Sequence, residues 1–308
     1  MDAGGTKTVC YLATADARIV AESHGPGANL QAVGELAVEE VLHGVMDHVL
    51  RDRRIVPAAI CLGMAGVDRR GDAETVQRIM RRIGYNARVV VTNDALIALV
   101  AGIEDRPGVV IVAGTGSIAY GRDTHGYAAR AGGWGYILGD EGGGYWIGRH
   151  AVRAVLRQAD RRGGETALTA LVLDHFRVRR PAELIHSVYT DHLTPAPIAA
   201  VAPLVQIAAE QGDEAAIRII QMATTELFGC ATSVVGQLAL SREAFTFVLS
   251  GGVFRMLPTL TSELSSALAV DWPDARVMLL DREPAHGALS IALATLRGRA
   301  PVPAYRTP

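Results

Sequence analysis

Alternating apolar and polar residues predict two β-hairpins that begin about a hundred residues apart. Each hairpin follows a short turn rich in glycine and hydroxyl side chains, and a small polar turn joins its two strands. The predicted strand pairs are 9–14 with 19–22, and 118–121 with 127–130. Because the same order of elements occurs twice, the pattern indicates two related units.

Further helices and strands follow the first hairpin. Apolar residues at helical spacing and short apolar runs predict them in alternation. The predicted helices are 36–50, 72–83 and 94–102, and the predicted strands are 58–64 and 87–92. A proline and a glycine at 106–108 then interrupt the pattern and mark the predicted domain boundary.

The second part of the chain starts again with a strand and contains a longer helical region. Its predicted strands are 109–113, 245–250 and 276–280, and its predicted helices are 146–162, 258–268 and 285–297, with 167–237 mostly helical. The sequence therefore predicts two α/β lobes, 1–107 and 108–308, the second enlarged by helices. The last helix is a candidate to pack back on the N-terminal lobe. A cleft at the carboxyl ends of the strands is the expected ligand site.

The two units differ at their beginnings. The apolar stretch 108–112 precedes the second glycine-rich turn, whereas Met1 alone stands before the corresponding Asp2. We therefore expect the first lobe to lack its opening core strand, through a misassigned start or a truncated chain. Such a lobe would expose the edges of neighbouring strands and lose stability.

Composition narrows the class of protein. The chain has 308 residues, 49% apolar and 20% charged, which is typical of a globular protein with a sizeable core. A net charge of −2 gives no electrostatic reason to bind nucleic acid or an anionic membrane. Three widely spaced cysteines argue against a zinc site or disulfide framework and fit a reducing cytoplasm. The longest apolar run, 193–209, contains three prolines, so a loop and a buried helix are expected there rather than a membrane span.

The two glycine-rich turns are candidate phosphate-binding sites. Glycine lets the backbone approach an anion, and free N–H groups and hydroxyls donate to phosphate oxygens. The residues concerned are Gly4, Gly5, Thr6 and Lys7 in the first turn, and Gly114, Thr115, Gly116 and Ser117 in the second. Two such turns could hold a nucleoside triphosphate by both ends. The alternative is a pair of ordinary hairpin turns.

Lys7 is the only lysine in the chain, and it lies in the first glycine-rich turn. Its ammonium group is a candidate partner for phosphate. The alternative is that an arginine-rich composition has simply retained one lysine, because arginine could also bind a phosphate.

Asp94 follows Asn93 where a predicted strand ends and a helix begins. One interpretation is helix capping, for which both residue types are favoured. The other is a carboxylate at the tip of a strand that accepts a proton from a substrate hydroxyl, as in phosphoryl transfer.

Residues 132–146 combine a high density of glycine with two of the three tryptophans. Such a segment suits a polar ring that lies beside Trp134 or the glycine backbone, with Asp140 as the acceptor for its hydroxyl groups. The alternative is that Asp140 and Glu141 cap the following helix. Gly251 and Gly252 follow a strand, where they would let a purine or ribose approach or would form a tight turn.

Seven motifs in order resemble the BadF/BadG/BcrA/BcrD-type ATPase family, and within it the N-acetylglucosamine kinases. They are DAGGTKT (2–8), GPGAN (25–29), VTNDA (91–95), AGTGS (113–117), GGWGYILGDEGGGYWIG (132–148), LSGGVF (249–254) and EPAHGAL (283–289). The resemblance covers nearly the whole chain. It implies an actin-like ATPase fold of the ribonuclease H-like type, with ATP and Mg²⁺ between two lobes, and an amino sugar as the phosphate acceptor.

The resemblance also implies roles for individual residues. Asp94 would be the base that takes the sugar hydroxyl proton, and Asp2 would help to hold Mg²⁺ through water. Thr6 and Thr115 would contact the ATP phosphates, and Gly251 and Gly252 would lie near the adenosine. The implied sugar-binding residues are Asn29, Ser117, Gly133, Trp134, Gly135 and Asp140. Ile118 and the pair Gly143-Gly144 depart from the common family pattern near the sugar, which leaves the preference for its 2-substituent open.

Other functions remain alternatives at this level. N-acetylglucosamine is the first expected substrate and glucosamine the second, with N-acetylmuramic acid or a plain hexose also open. A regulator that binds nucleotide or sugar without turnover, and an ATPase that drives a partner protein, are alternatives of other classes. The zinc motif of ROK repressor–kinases and the closely spaced cysteines of the dehydratase activators are absent. The sequence leaves open whether the chain forms a homodimer.

Overall fold

The computed structural model describes residues 1–51, 53, 55–67, 70–190, 195–240, 244–299 and 302–305. The chain forms two compact units, and neither is continuous in sequence. The first unit contains Met1–Val110, Tyr120–Ala129 and Leu280–Pro308, and the second contains Ile111–Ala119 and Arg130–Leu279. Both ends of the chain therefore belong to the first unit.

The first unit is built on a five-stranded mixed sheet with the order β3-β2-β1-β4-β5. Its strands are β1 (Asp2–Ala3), β2 (Lys7–Ala13), β3 (Ile19–Pro26), β4 (Ala59–Met64) and β5 (Arg88–Asn93). β1 pairs antiparallel with β2 and parallel with β4, so an opening strand of two residues lies in the middle of the sheet. The carboxyl ends of β1, β4 and β5 meet at one edge because the three strands are parallel.

Apolar faces of helices cover this sheet. The helices are α1 (Leu30–Leu50), α2 (Arg70–Arg82), α3 (Asp94–Ile103) and, from the end of the chain, α12 (Ala285–Leu296). Val38 and Leu42 of α1 and Ile79 of α2 are fully buried in one core cluster with Leu62 of β4. Burial of such side chains stabilises the unit by about 1.5–3 kcal/mol for each one.

The second sheet has the order β10-β9-β6-β7-β8-β11. Its strands are β6 (Gly108–Ala113), β7 (Ser117–Arg122), β8 (Tyr127–Gly132), β9 (Thr246–Ser250), β10 (Arg276–Leu279) and β11 (Ala304–Tyr305). Without β11, this order corresponds strand for strand to β5-β4-β1-β2-β3. β6 thus takes the position of β1, with six residues instead of two.

The second unit contains most of the helices. They are α4 (Gly144–Ala159), α5 (Leu168–His175), α6 (Leu184–Thr190), α7 (Ala196–Ala199), α8 (Ala202–Glu210), α9 (Glu214–Leu238), α10 (Gly252–Met256) and α11 (Pro258–Asp271), with a 3₁₀ helix at Pro181–Glu183. The predicted apolar run 193–209 forms α7 and most of α8, and its first two residues lie outside the described part. Among the described residues, no helix has the length and apolar character needed to cross a membrane.

Both predicted hairpins are present, and most predicted helices and strands agree within a few residues. The largest difference is α1, which begins at Leu30 rather than at residue 36. Gly34 has a φ of +79° and interrupts the regular helix, so the apolar spacing becomes regular only beyond it. The sequence also did not predict β11 or the short α10.

Candidate functional site

The first glycine-rich turn links β1 to β2 and packs against residues 25–29. The Gly4 N–H donates to the Lys7 carbonyl at 3.0 Å, and the Ala28 N–H donates to the Gly4 carbonyl at 3.0 Å. A Cβ on Gly27 would lie 2.2 Å from the Gly5 carbonyl oxygen, so only glycine allows this approach. Gly5, Thr6 and Lys7 are exposed, which leaves the outer side of the turn accessible to an anion.

Two carboxylates stand at the strand ends beside this turn. Asp2 is 8% exposed, and Asp94 is the first residue of α3, directly after β5. Burial and, to a smaller extent, the negative charge of Asp94 together raise the pKa of Asp2 to about 7. The amino terminus and Lys7 oppose this effect. The structure thus brings together the predicted metal-binding and catalytic acids.

Asn93, not Asp94, caps α3. Its side-chain oxygen accepts a hydrogen bond from the Leu96 N–H at 2.7 Å, and its side-chain nitrogen donates to the Tyr305 hydroxyl at 2.9 Å. The capping interpretation therefore applies to the first residue of the pair. The Asp94 carboxylate lies in the first turn of α3.

Asn29 is the N-cap of α1. Its Oδ1 accepts hydrogen bonds from the N–H groups of Gln31 and Ala32, at 3.0 and 3.2 Å. Gly66 packs against the same oxygen, because a Cβ there would lie 2.5 Å from it. The oxygen is therefore committed to the helix, and the side-chain nitrogen is the group that a sugar oxygen could contact.

Glu283 is a residue of this half of the site to which the sequence analysis gave no role. Both of its carboxylate oxygens accept from the Lys7 ammonium, at 2.8 and 2.9 Å. Its presence in the EPAHGAL motif was the available signal. The pairing with a residue 276 positions away could not be read from the sequence.

The second glycine-rich turn links β6 to β7 and packs against the start of α4. The Gly114 N–H donates to the Gly116 carbonyl at 2.9 Å, which closes the turn. The Gly144 and Tyr145 N–H groups donate to the carbonyls of Gly114 and Thr115, at 2.8 and 3.0 Å. The turn is thereby joined to the glycine-rich segment predicted to bind sugar.

Asp140 contacts both the glycine-rich segment, residues 132–146, and the second turn. Its Oδ1 accepts from the Gly135 N–H at 3.0 Å, and a Cβ on Gly116 would lie 2.1 Å from its Oδ2. Burial raises the pKa of Asp140 to about 6, although the Gly135 N–H lowers it and Glu141 raises it. Asp140 also holds a left-handed backbone, with φ of +59°.

The proposal that Asp140 and Glu141 cap the following helix is wrong. α4 begins at Gly144 with Gly143 as its N-cap, and no side chain makes a capping hydrogen bond. The Glu141 carbonyl instead accepts from the Ser117 hydroxyl at 2.6 Å. That hydroxyl is therefore oriented by the glycine-rich segment.

Trp134 lies on the surface of the second unit with its side chain 63% exposed. The guanidinium carbon of Arg130 lies 4.7 Å from the centre of its ring, a distance at which a cation is attracted to the aromatic face. Arg130 is held in turn by a 2.9 Å bond from its Nη1 to the Gly132 carbonyl. A cation therefore accompanies the predicted sugar-binding tryptophan.

Ile118 and Gly143, which depart from the common family pattern, lie where the glycine-rich segment packs against the second turn and the start of β7. A Cβ on Gly133 would lie 2.7 Å from the Ile118 side chain, and one on Gly143 would lie 2.7 Å from the backbone carbon of Gly116. Ile118 and Gly143 therefore set how closely the glycine-rich segment approaches the second turn.

Gly251 brings the turn after β9 against the end of β6. Its φ is +115°, and a Cβ there would lie 2.2 Å from the Ala113 carbonyl oxygen. Gly251, Asp140 and Gly143 thus pack against the second turn or the residue that precedes it, whereas a Cβ on Gly252 would meet the Met256 side chain. In the part of the chain that the structure describes, no group of three His, Cys, Asp or Glu side chains forms a ready metal site.

An α/β protein in which each unit presents a glycine-rich turn at the start of a hairpin, one of them beside paired carboxylates, has the features of a nucleotide-binding ATPase. The chain belongs to the BadF/BadG/BcrA/BcrD ATPase family, whose model matches residues 1–292.

Relatives and solved structures agree with that membership. The chain is 34% identical to the N-acetylmuramic acid/N-acetylglucosamine kinase of Clostridium acetobutylicum over 95% of this chain and 96% of the relative. It is 32% identical to the N-acetyl-D-glucosamine kinase of Dictyostelium discoideum, with 95% and 96% covered. A candidate N-acetylglucosamine kinase from Chromobacterium violaceum has a TM-score of 0.78 at 26% identity, with 95% and 96% covered.

The predicted actin-like fold is confirmed. Besides the structure from Chromobacterium violaceum, MreB 5 of Spiroplasma citri matches with a TM-score of 0.52 at 10% identity, and 95% of this chain and 89% of the other are covered. At that identity the match shows the fold alone.

Proposed function

We propose that the chain is an ATP-dependent kinase that transfers the γ-phosphate of ATP to the 6-hydroxyl of N-acetylglucosamine. The observation that carries this proposal is the position of Asp94, a carboxylate at the start of α3 beside the buried Asp2 and the first phosphate turn. The two kinases to which the chain is more than 30% identical support the amino sugar as substrate.

In this proposal Asp94 accepts the proton of the sugar hydroxyl while the phosphoryl group transfers in line. Thr6 and Lys7 in the first turn, and Thr115 with the N–H groups of the second turn, donate to the ATP phosphates. Gly251 and Gly252 lie beside the adenosine. The sugar is held by the side chains of Asn29, Ser117, Trp134 and Asp140 and by the backbone of Gly133 and Gly135.

Asp2 fits the role of a Mg²⁺ partner. Its carboxyl is buried near Asp94, and both effects raise its pKa to about 7. A nearby divalent cation would favour the ionised carboxylate and relieve this repulsion. When bound, Mg²⁺ would neutralise charge on the phosphates. A cytoplasmic location is part of this proposal, and the use of ATP and the three free cysteines support it.

N-acetylmuramic acid is a second candidate substrate. It carries a carboxylate that N-acetylglucosamine lacks, and Arg130 provides a cation beside Trp134. The relative from Clostridium acetobutylicum is named for both sugars. Glucosamine remains the other amino-sugar candidate.

A coupled ADP-release assay with Mg-ATP tests the proposal. Separate reactions contain N-acetylglucosamine, N-acetylmuramic acid, glucosamine, glucose or no sugar, and the product is identified by mass spectrometry. We expect turnover that depends on N-acetylglucosamine. ADP release at the same rate with and without sugar would indicate an ATPase that drives a partner protein. Binding of nucleotide or sugar without ADP release would indicate a regulator.

The Asp94→Asn variant tests the proposed base. Loss of the proton acceptor should lower kcat by about 10²–10⁴-fold. Asp16→Asn, in the exposed turn between β2 and β3, is the matched control and should keep full activity. If Asp94→Asn stays within a few-fold of the wild type while its melting temperature is unchanged, another group is the base.

A further inference from the structure

The strand β11 brings Tyr305 to the junction between β5 and α3. β11 pairs parallel with β8, with Tyr305 opposite Ala128, and the Ala304 N–H donates to the Gly126 carbonyl at 3.2 Å. The Tyr305 ring meets the buried Tyr120 ring edge to face, with centroids 6.1 Å apart. The hydrogen bonds of β11 and the contact between the two rings therefore hold Tyr305 in place.

The hydroxyl group of Tyr305 accepts a hydrogen bond from the side-chain nitrogen of Asn93 at 2.9 Å. The oxygen of the same side chain accepts from the Leu96 N–H at 2.7 Å and caps α3. Asn93 is only 7% exposed, so water has little access to replace either contact. The last torsion of an asparagine side chain has broad preferences by itself. The two hydrogen bonds, one to each end of the amide, therefore give it one orientation.

Asn93 and the proposed base are consecutive residues. Asn93 is the last residue of β5, and Asp94 is the first residue of α3. Reorientation of the Asn93 cap would therefore move the start of α3 and the Asp94 carboxylate with it. The rate is sensitive to such movement, since a displacement of about 1 Å in the site can cost about 10²-fold.

We propose that Tyr305 is a positioning residue that orients the Asn93 amide and thereby fixes the first turn of α3, where Asp94 lies. All three residues belong to the first unit. Tyr305 follows residues 1–292, which the family model matches, so the family motifs give it no role. This inference rests on the proposed kinase function.

The test compares Tyr305→Phe with the wild type on the full chain, with kcat and the KM for ATP measured for each protein. Without the hydroxyl, the Asn93 amide loses one of its two contacts, so kcat should fall about ten-fold. The KM for ATP should stay within about two-fold of the wild type, because the proposed ATP contacts lie in the glycine-rich turns and not in α3. A general loosening of the first unit would raise this KM as well, since the first phosphate turn joins two strands of its sheet.

Tyr189→Phe is the matched control. It removes the hydroxyl of a tyrosine on α6 that is 70% exposed. It should leave kcat and the KM for ATP within about two-fold of the wild type.

The Asn93→Ser variant shows whether Tyr305 acts through Asn93. Serine is a favoured N-cap residue, so α3 keeps a cap, but the amide nitrogen that contacts the tyrosine is lost. We expect this variant to have the kcat of Tyr305→Phe. The double variant should be no slower than either single variant, because both substitutions remove the same contact. Losses of kcat that multiply in the double variant would overturn the proposal.

The positioning role is also wrong if Tyr305→Phe keeps kcat within about two-fold of the wild type, or if its KM for ATP rises by as large a factor as kcat falls. Wild-type turnover is measured first. If it is absent, the kinase proposal fails by itself, and amide hydrogen exchange decides whether Tyr305 orients Asn93. The Leu96 N–H should exchange about ten-fold faster in Tyr305→Phe, because the oxygen that caps it is no longer held. Equal exchange rates in the two proteins would overturn the role.

Discussion

At the scale of single residues, each unit buries a carboxyl group of the candidate site, and burial makes the ionised form of that group costly. Asp2 has its pKa raised to about 7, and Asp140 in the second unit has its pKa raised to about 6, each chiefly by burial. Strongly perturbed acids cluster at functional sites, because a buried acid is retained where it binds or reacts. Both residues were singled out from sequence, but their burial depends on tertiary packing and required the structure.

The raised pKa of Asp140 predicts a specific dependence of stability on pH. Between about pH 4 and pH 6 the folded protein holds this proton more tightly than the unfolded chain, so stability falls as pH rises through that range. Asp140→Asn keeps an acceptor for the Gly135 N–H and removes the charge.

We expect Asp140→Asn to gain on the order of 1 kcal/mol relative to the wild type between pH 4 and pH 7. Urea unfolding of both proteins at several pH values measures this change. A difference in unfolding free energy that stays constant with pH would show that Asp140 titrates normally in the folded protein.

At the scale of elements, regular periodicity was sufficient to predict both hairpins and most helices. Prediction from periodicity failed where an element is interrupted or is too short to show a repeat. Gly34 breaks α1, so the apolar spacing did not reveal that the helix begins at Leu30. β1 has two residues and is too short to show alternation. The candidate site residues next to the glycine-rich turns were predicted from local composition, whereas the contact of Glu283 with Lys7 depends on the return of 280–308 to the first unit.

The backbone contact between α12 and α3 predicts an intolerant glycine. A Cβ at position 287 would lie 1.9 Å from the Ile97 carbonyl oxygen and 2.7 Å from the Ala101 nitrogen. Gly287→Ala should therefore destabilise the protein by about 1–3 kcal/mol through overpacking, although alanine favours helices.

Gly44→Ala in α1 is the matched control for that substitution. Nothing lies within 4 Å of a Cβ at position 44, so the change should stabilise the protein by about 0.5–1 kcal/mol. Denaturant unfolding of both variants gives the comparison. Stabilisation by Gly287→Ala would mean that the two helices do not meet in this way.

At the scale of the whole molecule, two sheets share one strand order, and the two units carry different parts of the proposed site. The first contains the paired carboxylates and the lysine turn, and the second contains the glycine-rich segment and the Gly251 turn. The internal repetition and the family motifs were enough to predict this division of chemistry. The packing of the last helix on the first lobe was a prediction from the sequence, whereas the inclusion of Tyr120–Ala129 in the first unit was not anticipated, since contacts distant in sequence leave no periodic signal.

Because 280–308 belong to the first unit, a truncation tests how far that unit depends on them. A chain ending at Leu279 lacks α12 and exposes the apolar surface of α3, so we expect loss of cooperative unfolding. A chain ending at Gly298 keeps α12 and should unfold cooperatively with a lower melting temperature. Circular dichroism melts compare them, and equal melting temperatures would show that α12 adds no stability.

The return of the last segment to the first unit also affects synthesis on the ribosome. Domains usually fold in the order in which they emerge, at about 5–20 residues per second. Here the first unit waits for α12, the last long element of the chain, for roughly 10–35 s after residue 110 has been added. All segments of the second unit emerge earlier. All of the second unit is therefore available to fold first, while the sheet that contains Asp2 still lacks α12, one of its covering helices.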